Sequence, residues 1–308
     1  MSAPNTNLAD YILPLNMNGL SGRMLKVSAK KKQNREVLLI YGHHSSIERM
    51  IGLADYLRDF GSVTMPDLPG FGGMDPYYKI GQKPTIEALA DYLAAFIKLR
   101  YKGRRFSVIG LSLGFAIVTR MLQKYPEIAK KTDIVVSIVG LTSRRDFIFS
   151  RPKHMLFRYG SSLFSNRLPG ALLKHVAFRP IFIRSIYRIM ADHNPKLKHA
   201  PQEIRQSWIE FEIELWRCND PRTYMETGLS MMVLNLPKER VGVPVHHVAI
   251  KKDRYLNNTV VEQHMRQIYS DFFLYKIALP LHAPSVIANA DDAARYVPAR
   301  LRRVFKQA

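Results

Sequence analysis

The chain opens its regular patterning with "EVLLIY" at 36–41, five apolar residues after a single acid. A short continuous apolar run of this kind predicts a strand buried on both faces. The spacing then changes. Ile47, Met50, Ile51, Ala54 and Leu57 recur at threes and fours, which predicts an amphipathic helix, and Gly61 suits its C-terminal end. The same alternation repeats downstream. "SVTMPD" at 62–67 reads as a strand, "LPGFGGMDP" as a turn-rich loop, and Thr85 as the N-cap of a helix with Ile86, Leu89, Ala90, Leu93, Phe96 and Ile97 on one side. A strand over 105–109, a helix ending before Pro126 and a strand over 133–139 follow.

Strands alternating with helices of this length imply right-handed crossovers and a mainly parallel sheet flanked by helices, an α/β fold. The alternation breaks near residue 142. From 142 to 235 there is no clear strand, prolines recur, and several aromatic-rich stretches have helical spacing. Strand patterns return at "VPVHHVAI" (243–250) and, after a helix, at "FFLYKIALP" (272–280). The expected organisation is therefore a sheet domain formed by 1–141 and 236–308, split by a helical insertion over 142–235.

One junction carries candidate chemistry. In "FSVIGLSLGFAIVTRML" (106–122) a strand pattern becomes a helix pattern at Gly-Leu-Ser-Leu-Gly. A strand that turns directly into a helix can hold a nucleophile at its tip, and glycines two positions either side let other segments pass close by. The hydroxyl of Ser112 then projects at the C-terminal edge of the sheet, where open α/β sheets form their crevices, and the new helix aims its N-terminal N–H groups at the same point.

At these residues the chain resembles the α/β-hydrolase fold family, in its cap-bearing serine hydrolase branch. The resemblance covers about residues 20 to 305. It rests on "GLSLG" (110–114), "YGHHSS" (41–46) after a strand, "DLPGFG" (67–72), "KKDRY" (251–255) and "LPLHAP" (279–284). It implies a Ser-Asp-His triad in that chain order, with Ser112 as nucleophile, and a cap in the place of the insertion.

The base should lie on a loop after the last strand, and His282 sits where the family's catalytic histidine would. The other histidines fall inside a strand (His246, His247), in a helical pattern (His264) or in the insertion. Asp253 ends the strand "VPVHHVAIKKD", 29 residues before His282, and is the expected orienting acid. Its competing role is a surface partner for Lys251, Lys252 or Arg254, and Asp146, just after the strand at 133–139, is the alternative acid. For the oxyanion hole the resemblance implies the backbone N–H groups of Leu113 and of His43, with His44 as the alternative to His43. The chain departs from the family pattern in three places. Tyr41 stands where histidine is usual, Lys252 precedes the acid where glycine is common, and Leu281 precedes the base where glycine is frequent. Asp67 is expected to stabilise a turn. No metal site is expected from His43 and His44, since sequence neighbours diverge and no carboxylate cluster accompanies them.

Charge adds a second theme. The net charge is +21, and it is uneven: residues 144–198 hold twelve Lys/Arg against Asp146 and Asp192, a net of +10. No helix-turn-helix, zinc-finger or RRM-type signature is present, so no nucleic acid is expected. An anionic membrane surface is the other partner such charge suits. "LLKHVAFRPIFIRSIYRIM" (172–190) mixes large apolar and basic residues. The expected packing puts its apolar side on the sheet domain and its arginines in solvent. The alternative is a basic amphipathic surface for anionic lipid or an acidic substrate.

The longest apolar run, "IVVSIVGL" (134–141), falls far short of the roughly 20 residues a spanning helix needs. The N-terminal stretch lacks a leader pattern, and the lone Cys218 excludes an intrachain disulfide and every CxxC motif. A cytoplasmic location is expected, with Cys218 as a small buried apolar residue. The sequence reading is thus a serine hydrolase acting through an acyl-enzyme on a small apolar carboxylic ester, with no cofactor. A carbon–carbon or amide hydrolase is the alternative chemistry, and a non-catalytic scaffold binding a ligand or membrane is the alternative class.

Overall fold

The computed structural model describes residues 8–193, 201–236, 239–279, 282, 287 and 289–307. Eight strands form one sheet in the order β1-β2-β4-β3-β5-β6-β7-β8. The first two, β1 (Ile12–Met17) and β2 (Leu20–Val27), make an antiparallel hairpin that the sequence reading above does not contain. Its signal is the Asn18-Gly19 turn, where both residues take positive φ (53° and 77°), as a two-residue hairpin turn requires.

The remaining sheet follows the alternation expected from the sequence. Strand β3 (Glu36–Ile40) leads to helix α1 (Ile47–Leu57), and β4 (Ser62–Pro66) to α2 (Ile86–Tyr101). The side chain of Thr85 caps α2 by accepting from the N–H of Ala88. Strand β5 (Phe106–Leu111) runs straight into α3 (Leu113–Lys124), and the short α4 (Pro126–Ala129) precedes β6 (Thr132–Ile138). All pairings from β4 to β8 are parallel, while β2 meets β4 antiparallel. Strand β3 lies between β4 and β5, so the chain leaves it toward one edge and later returns on its other side. That reversal makes a crevice at the C-terminal ends of β3 and β5.

Strands β6 and β7 (Val245–Ile250) are sheet neighbours, with Ser137 in register with His247. The chain between them leaves the sheet and folds as helices: α5 (Arg151–Phe164), α6 (Arg167–Leu172), a π turn at Leu173–Ala177, α7 (Pro180–His193), α8 (Gln202–Cys218) and α9 (Pro221–Val233). The chain then closes with α10 (Asn258–Ile268), β8 (Phe272–Ile277), α11 (Ala290–Ala294) and α12 (Ala299–Gln307). This is an α/β sheet with an inserted run of helices.

The insertion is unevenly packed. Met231 and Met232 of α9 join the main core, and α7 and α8 share a separate small cluster built on Ile183, Ile209 and Ile213. The expected burial of the apolar side of 172–190 against the sheet domain is not what the structure shows. Helix α5 has no buried residue, and large apolar side chains along α5, α6 and α7 face solvent. On α7 the reason is that its inward face, Ile183 and Tyr187, is spent on α8. Among the described residues no helix is long and apolar enough to cross a membrane.

Candidate active site

Ser112 sits between β5 and α3 with φ 47° and ψ −114°. A non-glycine residue rarely takes this conformation, and the tight turn imposes it. The flanking glycines explain how it is tolerated. A Cβ on Gly110 would stand 2.5 Å from Cα of Phe115, and one on Gly114 would stand 2.5 Å from the carbonyl oxygen of Ile40. Both approaches exclude any side chain, so strand, turn and helix close on one another only with glycine there.

His282 lies beside this serine. Its Nε2 is 3.4 Å from Ser112 Oγ, and its Nδ1 is 2.6 Å from Asp253 Oδ2. The first distance is looser than the 2.6–3.2 Å typical of a working pair, as is common without substrate. The Asp253 side chain is only 1% exposed, and its other oxygen accepts the N–H groups of Tyr255 and Leu256. Burial pushes its carboxyl upward, but the hydrogen bond and charge of His282 outweigh this and hold it below the ordinary value. Lys251, Lys252 and Arg254 are exposed, and the carboxylate turns inward to the histidine instead of pairing with them.

Asp146 goes elsewhere. One oxygen accepts the N–H groups of Thr142 and Ser143, and the other is 2.5 Å from His264 Nδ1. This fully buried carboxylate ties the end of β6 to α10. Leu281, before the histidine, lies outside the described residues.

The loop after β3 lies against Ser112. A Cβ on Gly42 would be 3.3 Å from Ser112 Cβ and 3.2 Å from the carbonyl oxygen of Leu111. The backbone N–H groups of His43 and Leu113 find no acceptor among the described residues. Tyr41, at the position where histidine was expected, is fully buried. Its hydroxyl donates to Asp67 Oδ1 and accepts the N–H of Leu68, while Asp67 also accepts from Arg23 and from the N–H of Ile47. Asp67 thus binds the turn after β4 to this loop, in keeping with a structural role.

The two histidines diverge. His43 Nε2 donates to the carbonyl oxygen of Tyr224, and the rings stack 4.1 Å apart. Burial pushes this imidazole down to about 4, so it is neutral near pH 7. His44, with φ 53°, stacks on Trp216, accepts from Asn219 Nδ2 at Nδ1 and turns Nε2 toward Glu212. Among the described residues no group of His, Cys, Asp or Glu is placed to hold a metal.

No family model matches the chain, and no curated protein matches it in sequence. Solved structures do. An esterase from Exiguobacterium antarcticum aligns with a TM-score of 0.63 at 14% identity, over 86% of this chain and 90% of that one. A hydrolase from Oleispira antarctica aligns at 0.67 and 14%, over 92% and 94%. An esterase from Thermogutta terrifontis aligns at 0.60 and 16%, over 96% of each chain. These similar structures share one architecture. The chain has the α/β-hydrolase fold.

In this α/β-hydrolase fold, a cavity of about 720 Å³ lies between the sheet and the insertion. Ser112, His282 and Gly42 meet it from the sheet side, and Leu156, Phe157, Phe164, Met225 and Met231 from the helices. Tyr255 packs edge-on against the His282 ring, with centroids 5.3 Å apart. The sequence reading missed Tyr224, Tyr255 and the Arg49–Glu212 pair. Tyr255 was within reach, two residues after the candidate acid. Tyr224 and Glu212 carry no local signal, because α8 and α9 meet the β3 loop only through the tertiary fold.

Proposed function

We propose that the chain is a serine hydrolase of the carboxylic ester type, with Ser112, His282 and Asp253 as its triad and 142–235 as its cap. The observation that carries this is His282 spanning Ser112 Oγ and Asp253 Oδ2 on the wall of an apolar cavity. In this reading Ser112 attacks the acyl carbonyl as its proton passes to His282 Nε2. Asp253 holds the ring in the tautomer that leaves Nε2 free and stabilises the imidazolium. The N–H groups of Leu113 and His43 donate hydrogen bonds to the carbonyl oxygen as negative charge develops on it. His282 then protonates the leaving alcohol, and a water molecule releases the acid from the acyl-enzyme through the same groups.

The lining favours an apolar acyl group, since methionines and aromatics supply an adaptable wall. The esterases among the similar structures support the ester. Supply of that ester from an anionic membrane, and a cytoplasmic location, belong to the same proposal. A "membrane phospholipase A" is among the similar structures, with a TM-score of 0.66 at 16% identity over 96% of this chain and 87% of that one.

A fluorophosphonate probe and a p-nitrophenyl ester test the reading. Wild type labels at Ser112 and turns over the ester. Ser112→Ala keeps its circular dichroism, takes no label and loses about 10⁶-fold in kcat. Near-normal turnover by that variant sinks the assignment. A parallel panel of amides and carbon–carbon substrates separates the ester reading from its alternatives.

A further inference from the structure

The geometry points to the exposed face of α5, α6 and α7 as a docking surface for an anionic lipid bilayer, with the cavity mouth opening onto it. The docking face stands on its own observations; the entry of substrate through it rests on the ester hydrolase reading.

Three successive segments each expose an apolar stripe at four-residue spacing. On α5 it is Met155, Tyr159 and Leu163. Across α6 and the π turn it is Leu168, Leu172 and Val176, with Leu168 81% exposed. On α7 it is Phe182, Ile186 and Met190. Side chains four apart lie on one side of a helix, so each stripe is continuous. This reverses the usual pattern, in which the outward face is polar. Apolar side chains exposed in this number along successive helices mark a binding face.

Charge narrows the occupant. Between Phe147 and Ala191 there is no acid, against eight Lys/Arg. Arg184 is paired with Glu210, and Lys153 lies over the Phe149 ring. Arg151, Arg158, Arg167, Lys174, Arg179 and Arg188 are exposed and have no carboxylate partner among the described residues. Large apolar side chains among such cations match a bilayer that takes the former into its acyl boundary and pairs the latter with anionic headgroups. A second copy fits poorly, because a chain of net charge +21 would meet its own basic face. Nucleic acid would satisfy the cations and leave the stripes in water.

The cavity joins this face. Leu156 is 74% exposed yet also lines the cavity, as do the exposed Phe157 and Tyr255. The mouth therefore lies at α5, beside the exposed stripe. An acyl chain leaving a docked bilayer would reach Ser112 along apolar wall without crossing bulk water.

The test is co-sedimentation with vesicles of neutral phosphatidylcholine, alone or mixed with phosphatidylglycerol, at 0.01 and 0.15 M salt. Wild type pellets with the anionic vesicles and much less with the neutral ones. The triple variant Arg158→Gln, Lys174→Gln, Arg188→Gln weakens partitioning by about 100-fold at low salt, taking roughly 1 kcal/mol per basic residue. The triple variant Leu168→Ser, Leu172→Ser, Ile186→Ser loses the binding that survives at 0.15 M, where charge is screened beyond about 8 Å. These side chains are already exposed, so both variants keep the wild-type circular dichroism and its turnover of a short soluble ester. Equal wild-type binding to both vesicle types overturns the proposal, as does unchanged binding by either variant. A wild-type dimer that the apolar variant converts to monomer also overturns it and assigns the face to a second copy. Vesicle binding without ester turnover overturns the hydrolase reading alone, and turnover without vesicle binding overturns the docking alone.

Discussion

Nδ1 of His282 and Oδ2 of Asp253 stand 2.6 Å apart, joined across the ends of the neighbouring strands β7 and β8. The remaining oxygen of Asp253 is held by two backbone N–H groups, so the carboxylate cannot rotate away without leaving donors unpaired. Asp253→Asn is expected to cost about 10⁴-fold in kcat through the wrong imidazole tautomer. Asp146→Asn is expected to stay within about tenfold of wild-type kcat and to lower stability instead, because its carboxylate serves the β6 end and His264. Kinetics and thermal melts on the two variants check this. The reverse ranking would move the acid to Asp146.

Gly42→Ala tests the oxyanion loop. The added methyl would press on the Leu111 carbonyl at 3.2 Å and on Ser112 Cβ at 3.3 Å, so the loop must retreat from the serine. Loss of one oxyanion donor costs about 10²–10³ in kcat, with KM changed far less. An unaltered kcat would show that this loop holds no donor for the reaction.

Arg49 on α1 and Glu212 on α8 form a buried ion pair across the boundary between sheet and insertion. Burial pushes the Glu212 carboxyl up, yet the nearby His44 ring and the charge of Arg49 keep it below its ordinary value. Glu212→Ala would strand the Arg49 guanidinium, and such a loss costs about 3–5 kcal/mol. Urea unfolding of this variant, with Glu212→Gln as the milder control, measures the effect.

The pH dependence of stability follows from buried neutral histidines. Burial holds His247 down at about 3, and His43 and His246 at about 4, against an ordinary value of 6.5. The unfolded chain therefore takes up protons first on acidification. The contribution of His247 is complete above about pH 6.5 and is lost as pH falls from there toward 3, at about 1.4 kcal/mol per pH unit. His247→Gln, which keeps a hydrogen-bonding group for Ser137, should flatten that slope. Unfolding midpoints at pH 7, 6, 5 and 4 for both proteins test it. Equal slopes would mean that His247 is protonated in the folded state.

Much of the architecture was legible in local pattern. The change from continuous apolar runs to spacing of three and four located six strands and the helices between them. Gly-Leu-Ser-Leu-Gly marked a turn that only glycines allow. The Asn18-Gly19 hairpin was legible too and went unread, since β1 buries only alternate residues and lacks a long apolar run.

What the sequence determined by itself was the period of each element and the places where the backbone must turn or be approached closely, because those depend on a few neighbouring residues. The tertiary structure alone decided the partners. Asp146 and Asp253 both follow strands, and only the packing of α10 gives the first to His264 and leaves the second to His282. Tyr41 in place of histidine became intelligible once Asp67 was seen against its hydroxyl. The amphipathic helices of the insertion could turn their apolar stripes inward or outward without changing a residue. Their direction was decided by which face of α7 the residues of α8 could cover, and periodicity carries no record of that.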